Sequence, residues 1–226
     1  MIPLRDTIPS KSFPIVNYSL IITNILVFIY ESRMSNPQVE AFVLHYGLVP
    51  ANILPAIQNT FSLSGLEILK TFITNTFIHG NLWHLIGNMW FLFIFGDNVE
   101  DKMGKFGYLI FYLLVGILAS ATHFILYASS TIPVIGASGA ISGVMASYMV
   151  LFPRSKIITL IPVFFIIPLF FPIPAYIFIG IWFVIQLISG TGHLVIHGSA
   201  SGIAFWAHIG GFAAGMLLYR LFVRKN

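Results

Sequence analysis

Residues 106–153 read FGYLIFYLLVGILASATHFILYASSTIPVIGASGAISGVMASYMVLFP and contain no Asp, Glu, Lys or Arg. A helix that crosses a bilayer needs about 20 mostly apolar residues. This run is long enough for two such helices, and the polar turn Ser129–Pro133 divides it. We therefore expect two neighbouring membrane-spanning helices here.

Three further runs, residues 12–30, 71–96 and 157–219, also lack charged side chains. The first two each predict one span, and the third predicts two spans divided by a stretch rich in Gly, Ser and His. The fold class expected is all-α, a polytopic membrane protein with a six-transmembrane-helix bundle. Its predicted spans lie roughly at 14–31, 79–98, 106–127, 138–152, 173–188 and 204–222.

The composition indicates that most of the chain is embedded in a lipid bilayer. Of 226 residues, 58% are hydrophobic and only 8% are charged, against about 25% charged in an ordinary soluble domain. These figures exclude a soluble enzyme, a disordered chain and a nucleic-acid binder. The absence of Cys excludes disulfides, a thiolate nucleophile and a Cys-ligated metal. No cofactor and no metal partner is expected.

The basic residues predict the orientation of the chain. Six spans place both termini on one side, together with nine of the eleven Lys and Arg residues. The positive-inside rule then puts both termini in the cytoplasm of a multi-pass cell-membrane protein. Residues 1–13 are expected to be a short cytoplasmic tail and 14–226 the membrane domain. The N-terminal apolar run, residues 12–30, lacks a small-residue cleavage site, which favours a membrane anchor over a signal peptide.

Two regions do not fit a simple series of spans. Residues 33–70 form a long connection, which usually has structure or a function of its own, and we expect it to lie on or partly in the outer interface. Residues 157–172 are apolar but interrupted by Pro162, Pro168 and Pro172. This segment is interpreted as interfacial, with a seventh span as the alternative.

Polar side chains inside the predicted spans are candidates for function because they are costly in hydrocarbon. His84 and Asn88 are four residues apart and share a helix face. His79 and His84 diverge by about 140° around the helix, which does not favour a two-His metal site. The structural alternative for His84 and Asn88 is an interhelical hydrogen-bonded pair.

The fourth and sixth spans carry a candidate nucleophile and base. Ser138 begins the fourth span, where a Ser can also serve as a simple N-cap. Gly211 and Gly215 on the sixth span form a small-residue face that allows close helix packing. Gly139 and Gly143 offer a matching face on the fourth span. If these faces pack, His208 meets Ser138, and an imidazole beside a hydroxyl activates a Ser nucleophile.

The ordered motifs GASG at 136–139, AHIGGFAAG at 207–215 and HGNLWHLIGN at 79–88 resemble those of the rhomboid intramembrane serine proteases. The resemblance covers about Ile15 to the C-terminus, in the six-span form. It implies that Ser138 is the nucleophile and His208 the general base of a dyad without an acid. None of the seven acids is expected in the outer half of a span, so packing alone would orient His208.

The resemblance also implies roles for other residues. His84, Asn88 and the Ser138 amide would form the oxyanion hole, and His79 would lie near a water-access cavity. Glu100 would hold the cytoplasmic end of the second span. Residues 189–202 would be a flexible cap and the fifth span a lateral gate. Substrates would be transmembrane segments of other proteins. The glycines assigned to helix packing are Gly136, Gly139, Gly143, Gly211 and Gly215.

Other functions remain as alternatives with less support. The chain has no His-Glu-x-x-His motif for a zinc protease and no pair of intramembrane Asp residues for an aspartyl protease. A non-catalytic rhomboid-like protein that binds membrane clients would typically lack the nucleophile or the base, and both are present. A small transporter or channel would need an intramembrane charge or an inverted repeat.

Overall fold

The computed structural model describes residues 1–59, 62–163, 167–197 and 204–224. These residues form ten α-helices and three strands. In chain order the elements are β1 (Ile2–Arg5), α1 (Ile15–Glu31), α2 (Asn36–Tyr46), α3 (Ile53–Gln58), α4 (Leu63–Leu69), α5 (Thr71–Thr74), α6 (Leu82–Met103), α7 (Lys105–Leu126), α8 (Ser138–Leu151), β2 (Lys156–Val163), β3 (Ile167–Pro174), α9 (Ala175–His197) and α10 (Phe205–Phe222).

Six long helices, α1 and α6 to α10, coincide with the six predicted spans and form a membrane bundle, as the sequence predicts. In the described part of the chain, Lys105–Leu126 and Ala175–Gly192 are long and apolar enough to cross a membrane. Helices α1 and α8 are apolar but shorter, and α6 carries charged residues in its last two turns. The number of helices that cross the bilayer therefore stays a prediction.

Helix α8 is the centre of the bundle. Every residue from Gly139 to Tyr148 is buried, because α6, α7, α9 and α10 pack around it. The backbones of α8 and α10 touch at their glycines: a Cβ added to Gly215 would lie 2.5 Å from the Gly143 Cα, and one added to Gly143 would lie 2.8 Å from the Gly211 carbonyl oxygen. Only glycine permits this approach.

Both described ends of the chain lie at one end of the bundle, which we call the terminal face. The Glu100 carboxylate, near the end of α6, accepts hydrogen bonds from the amides of Val16 and Asn17, at 3.2 and 2.8 Å. It thereby satisfies free N–H groups at the start of α1. The amide of Arg224, beyond α10, donates to the Lys102 carbonyl oxygen at 3.0 Å. The opposite end is the site face.

A three-stranded antiparallel sheet beside α6 is the main departure from the all-α prediction. It has the order β1–β2–β3. The predicted N-terminal tail contributes β1, and Trp90 of α6 donates a hydrogen bond to the Pro3 carbonyl oxygen at 2.5 Å. Residues 157–172, for which a seventh span was the alternative, contribute most of a β-hairpin formed by β2 and β3.

The prolines of this hairpin are spaced to suit an edge strand. The Lys156 amide donates to Thr7 Oγ1, which lies on the β1 side of β2. The backbone N–H and C=O groups of the even-numbered β2 residues therefore point toward β1. The paired residues in β2 and β3 have the same parity, so the even-numbered N–H positions of β3 face its free edge. Three of these four positions are Pro168, Pro172 and Pro174, which have no N–H to leave unpaired.

Two helix boundaries differ clearly from the sequence prediction, the start of α6 and the end of α9. Helix α6 starts at Leu82 rather than 79, because the Asn81 side chain accepts a hydrogen bond from the His84 amide at 2.9 Å and caps the helix. Helix α9 continues to His197, so the prediction of a loop over 189–202 is wrong for 189–197. The remaining cap residues, 198–202, lie outside the described residues.

The connection 33–70 contains the short helices α2, α3 and α4, in keeping with the expectation that it has structure of its own. It is tied to the segment before α8: Leu48 and Val134 exchange backbone hydrogen bonds of 3.0 and 2.8 Å. Exposed apolar side chains occur along it, including Leu54, Ile57 and Leu63. Its position relative to the membrane interface stays a prediction.

Candidate active site

Ser138 stands at the first position of α8, after a sharply bent turn. Gly136 in that turn has φ of 120°, a conformation that L side chains rarely adopt. A Cβ there would also lie 2.7 Å from the His84 ring. The amide of Gly136 donates to the Asn75 carbonyl oxygen at 2.9 Å. The turn is therefore held from both sides and presents the Ser138 side chain toward α10.

His208 lies in the first turn of α10, opposite Ser138. Its Nε2 atom is 2.7 Å from the Ser138 Oγ, a hydrogen-bond distance between residues 70 positions apart. The glycine contacts between α8 and α10 bring the two side chains together. Ser138 is not acting as a simple N-cap, because its hydroxyl faces the imidazole and α8 has no side-chain cap.

Gln186 of α9 is a site residue that the sequence interpretation missed. Its Oε1 atom is 2.8 Å from the other ring nitrogen of His208, Nδ1, and the residue is 8% exposed. His208 is therefore oriented by a polar contact as well as by packing. An amide inside the fifth predicted span was the available signal, since polar groups in spans are functional candidates.

His84 and Asn88 lie on one face of α6 and border the same space as Ser138. Asn88 is 8% exposed, and its Nδ2 donor has no hydrogen-bond partner among the described residues. The Ser138 amide, at the start of α8, is one of the four N–H groups that a helix leaves without an intrahelical partner. These donors converge on one region beside the Ser138 hydroxyl.

Two other histidines are buried near the site. His79 packs edge-on against His84, with ring centroids 5.0 Å apart, but it does not line the cavity. His123 of α7, which the sequence interpretation did not single out, does line it. Both histidines are nearly fully buried. The His79 ring lies near the backbone of Phe77, and the ring nitrogens of His123 have no partner among the described residues. In the same part of the chain, no group of three His, Cys, Asp or Glu residues could hold a metal ion.

One acid contradicts the expectation that all seven stay out of the outer half of a span. Glu31 is the last residue of α1, at the site face, and it is 5% exposed. Its carboxylate has no side-chain partner among the described residues and lies near the backbone of His79. It does not line the cavity, and no described carboxylate does. The dyad therefore still has no acidic third member.

A cavity of about 550 Å³ opens in front of the dyad. Its polar surface includes Ser138, His208, His84, Asn88 and Gln186. Much of the remaining wall is apolar and includes Phe91, Ile141, Met145 and Trp182. Such a space can hold an extended peptide segment with its carbonyl beside the Ser138 hydroxyl.

The arrangement has counterparts in known proteins. The family profile described as the Rhomboid domain matches residues 67–225. "Rhomboid-like protein 11, chloroplastic" of Arabidopsis thaliana is 41% identical over 75 residues, covering 33% of this chain and 26% of its own length. "Rhomboid protein 1, mitochondrial" of Saccharomyces cerevisiae is 29% identical over 145 residues, or 62% of this chain and 38% of its own length.

"Presenilin-associated rhomboid-like protein, mitochondrial" of Homo sapiens is 26% identical over 137 residues, which is 52% of this chain and 35% of the human protein. The matches thus span a quarter to two fifths of the length of these relatives. The family profile covers more than half of the chain, and the fold is a helical membrane bundle. This chain is a member of the rhomboid family, whose general activity is intramembrane proteolysis.

Proposed function

We propose that this protein is an intramembrane serine endopeptidase in which Ser138 is the nucleophile and His208 the general base. The observation that carries the proposal is the 2.7 Å distance between the Ser138 Oγ and the His208 Nε2, at the wall of a cavity of about 550 Å³. A hydroxyl within hydrogen-bond reach of an imidazole is the arrangement that nucleophilic catalysis needs.

The reaction would proceed in two halves. The Ser138 Oγ attacks the scissile carbonyl carbon while its proton passes to the His208 Nε2, and the carbonyl π electrons move to the oxygen. The imidazolium then gives this proton to the leaving nitrogen, and the C–N bond breaks to leave an acyl-enzyme. Water, deprotonated by the same Nε2, hydrolyses the ester and restores the Ser138 hydroxyl.

The negative charge on the carbonyl oxygen needs donors that are in place before the reaction. Asn88 suits this role because its Nδ2 is buried and has no partner among the described residues. The Ser138 amide and the His84 ring border the same space. We assign these three groups to the oxyanion hole, and His79 to support of the His84 ring.

The substrates proposed are transmembrane segments of other proteins, cut near the outer membrane surface. A helical segment hides its carbonyl groups in its own hydrogen bonds, so small or helix-breaking residues near the cut would favour its extended form. Helix α9 is the proposed lateral gate, and it contacts α6 through Phe178, whose ring centroid is 6.5 Å from that of Phe91.

We place the protein in the cell membrane with both termini in the cytoplasm, because nine of the eleven basic residues lie on the terminal side of the predicted spans. The chain has no Cys, so a Cys introduced at Ser129 can be labelled selectively. An impermeant maleimide should label it from outside intact cells. Labelling only after lysis would reverse this orientation.

The experiment that tests the proposal combines an active-site probe with cleavage of a single-span reporter in liposomes. A fluorophosphonate should label the wild-type protein, and both labelling and cleavage should be abolished by Ser138→Ala and by His208→Ala. Ser147→Ala, in the same helix, and His45→Ala, at an exposed position in α2, are matched controls that should retain both activities.

If cleavage activity survives Ser138→Ala, another residue must be the nucleophile, and the proposal is wrong. Binding of the reporter without labelling or cleavage by the wild type would favour the alternative, a non-catalytic rhomboid-like protein that binds membrane clients.

A further inference from the structure

We propose that Gln186 is a positioning residue that holds His208 in the tautomer with the proton on Nδ1, leaving Nε2 free to accept the Ser138 proton. The inference rests on the proposed dyad and adds a third, uncharged member to it. It concerns a side chain of α9, whereas Ser138 and His208 stand on α8 and α10.

The orientation of the Gln186 amide follows from its second contact. Its Nε2 atom is 3.4 Å from the backbone carbonyl oxygen of Trp182, one turn earlier on α9. A carbonyl oxygen accepts hydrogen bonds and cannot donate them. The NH₂ end of the amide must therefore face Trp182, which turns the Oε1 end toward His208. The network, rather than the similar shapes of the two ends, assigns this orientation.

The amide orientation in turn decides the imidazole tautomer. Gln186 Oε1 is 2.8 Å from His208 Nδ1, and this oxygen also can only accept. Nδ1 must therefore carry the hydrogen and donate it. In a neutral imidazole only one nitrogen is protonated, so Nε2 is the bare acceptor, 2.7 Å from the Ser138 hydroxyl.

The same contact persists through proton transfer. When the Ser138 Oγ–H bond breaks and an Nε2–H bond forms, the imidazolium keeps its Nδ1–H donor directed at Gln186. The ring cannot turn without losing this bond and its packing against Trp182, whose ring centroid lies 6.0 Å away. The amide supplies orientation and a dipole but no negative charge, so it takes part of the role that an Asp has in serine protease triads.

Burial raises the importance of this contact. Gln186 is 8% exposed, and its Oε1 is the protein acceptor placed at Nδ1. Removing one partner of a buried hydrogen bond leaves the other unsatisfied. Without Gln186, the tautomer with the proton on Nε2 becomes accessible, and in that tautomer His208 cannot act as a base toward Ser138.

The test compares two substitutions of Gln186 in the full-length protein in detergent. Gln186→Met keeps the length of the side chain but has no oxygen to accept the proton, and Gln186→Glu keeps an acceptor. We expect Gln186→Met to lower the fluorophosphonate labelling rate and kcat about 10- to 100-fold with KM within about twofold. Gln186→Glu should restore most of this loss.

Thr191→Val is the matched control on α9. Among the described residues, its hydroxyl donates to the backbone carbonyl oxygens of Leu187, at 2.7 Å, and Ile188, at 3.1 Å, both in its own helix. This variant should label at the wild-type rate. Thermal unfolding of all the variants separates a loss of folding from a loss of positioning.

A spectroscopic readout does not depend on turnover. Imidazole ¹⁵N chemical shifts of His208 should report a protonated Nδ1 and a bare Nε2 in the wild type, and a mixture of tautomers in Gln186→Met. A wild-type ring protonated on Nε2 would overturn the inference. So would a Gln186→Met protein with an unchanged tautomer and labelling rate. Failure of the dyad itself would be recognised separately, as absence of Ser138-dependent labelling in the wild type.

Discussion

The close approach of α8 and α10 predicts that one added methyl group, far from the reacting atoms, will disable the site. The change is Gly215→Ala. A Cβ at this position would lie 2.5 Å from the Gly143 Cα, whereas ordinary van der Waals contact begins at 3.4 Å. The two helix backbones must therefore part by about 0.9 Å, the difference between these distances. Because α8 is buried on all sides, this overpacking should cost about 1–3 kcal/mol of unfolding free energy.

The same displacement reaches the dyad. His208 is seven residues before Gly215 on α10, about 10 Å along the helix axis. If α10 moves as a rigid body, the 2.7 Å distance between the Ser138 Oγ and the His208 Nε2 grows to about 3.6 Å, beyond hydrogen-bond reach. A misplacement of about 1 Å can cost about a hundredfold in rate. We therefore expect labelling and cleavage to fall by about this factor.

The assay is the fluorophosphonate labelling rate and reporter cleavage in liposomes, with thermal unfolding in detergent. Gly180→Ala is the matched control, because a Cβ on this helical glycine of α9 would meet nothing within 4 Å. It should keep the wild-type labelling rate. A Gly215→Ala protein with the wild-type labelling rate and unfolding temperature would refute the reasoning, since the helices would then have absorbed the methyl group without moving the dyad.

Two further predictions concern the oxyanion hole and the terminal face. Asn88→Ala should lower cleavage about 100- to 1000-fold with little change in unfolding temperature, because its Nδ2 has no hydrogen-bond partner to lose among the described residues; cleavage at the wild-type rate would contradict the assigned role. Burial raises the pKa of Asp6, which lies at the terminal face, above its ordinary value despite a hydrogen bond from the Tyr148 hydroxyl. The folded chain then binds this proton more tightly than the unfolded chain, so the unfolding free energy should fall as pH rises from about 3.9 through the folded pKa. Asp6→Asn should remove this part of the pH dependence measured by thermal unfolding, and an unchanged slope would contradict the assignment.

The helices of the bundle were largely predictable because apolar runs of spanning length have few other structures open to them in a bilayer. The errors lie at the ends, where specific side chains decide. Asn81 starts α6 by capping it, and α9 runs on into residues whose Gly and Ser content suggested a loop. The hairpin of β2 and β3 was missed because its residues are apolar at nearly every position, so no alternation of polar and apolar side chains marked it as a sheet.

The candidate site was predictable in its residue types and less so in its contacts. Ser138, His208, His84 and Asn88 stand out as polar groups in apolar runs. Gln186 carries the same signal, but nothing in the linear order says that the fifth span approaches the sixth at this depth. The sequence shows that Glu31 lies at the end of the first span, but it does not show that the side chain is buried. That burial depends on how α1 packs against the segment around His79.

The sequence by itself determined that the chain is a helical membrane protein and which polar side chains lie within its apolar, bilayer-length runs. Both follow from composition and from the spacing of residues along the chain. The tertiary structure alone decided which of those side chains meet. Glycine contacts bring α8 and α10 close enough for Ser138 to reach His208, and the packing of α9 adds Gln186 behind the ring. These are distances between residues 70 and 22 positions apart, and only the packing of whole helices sets them.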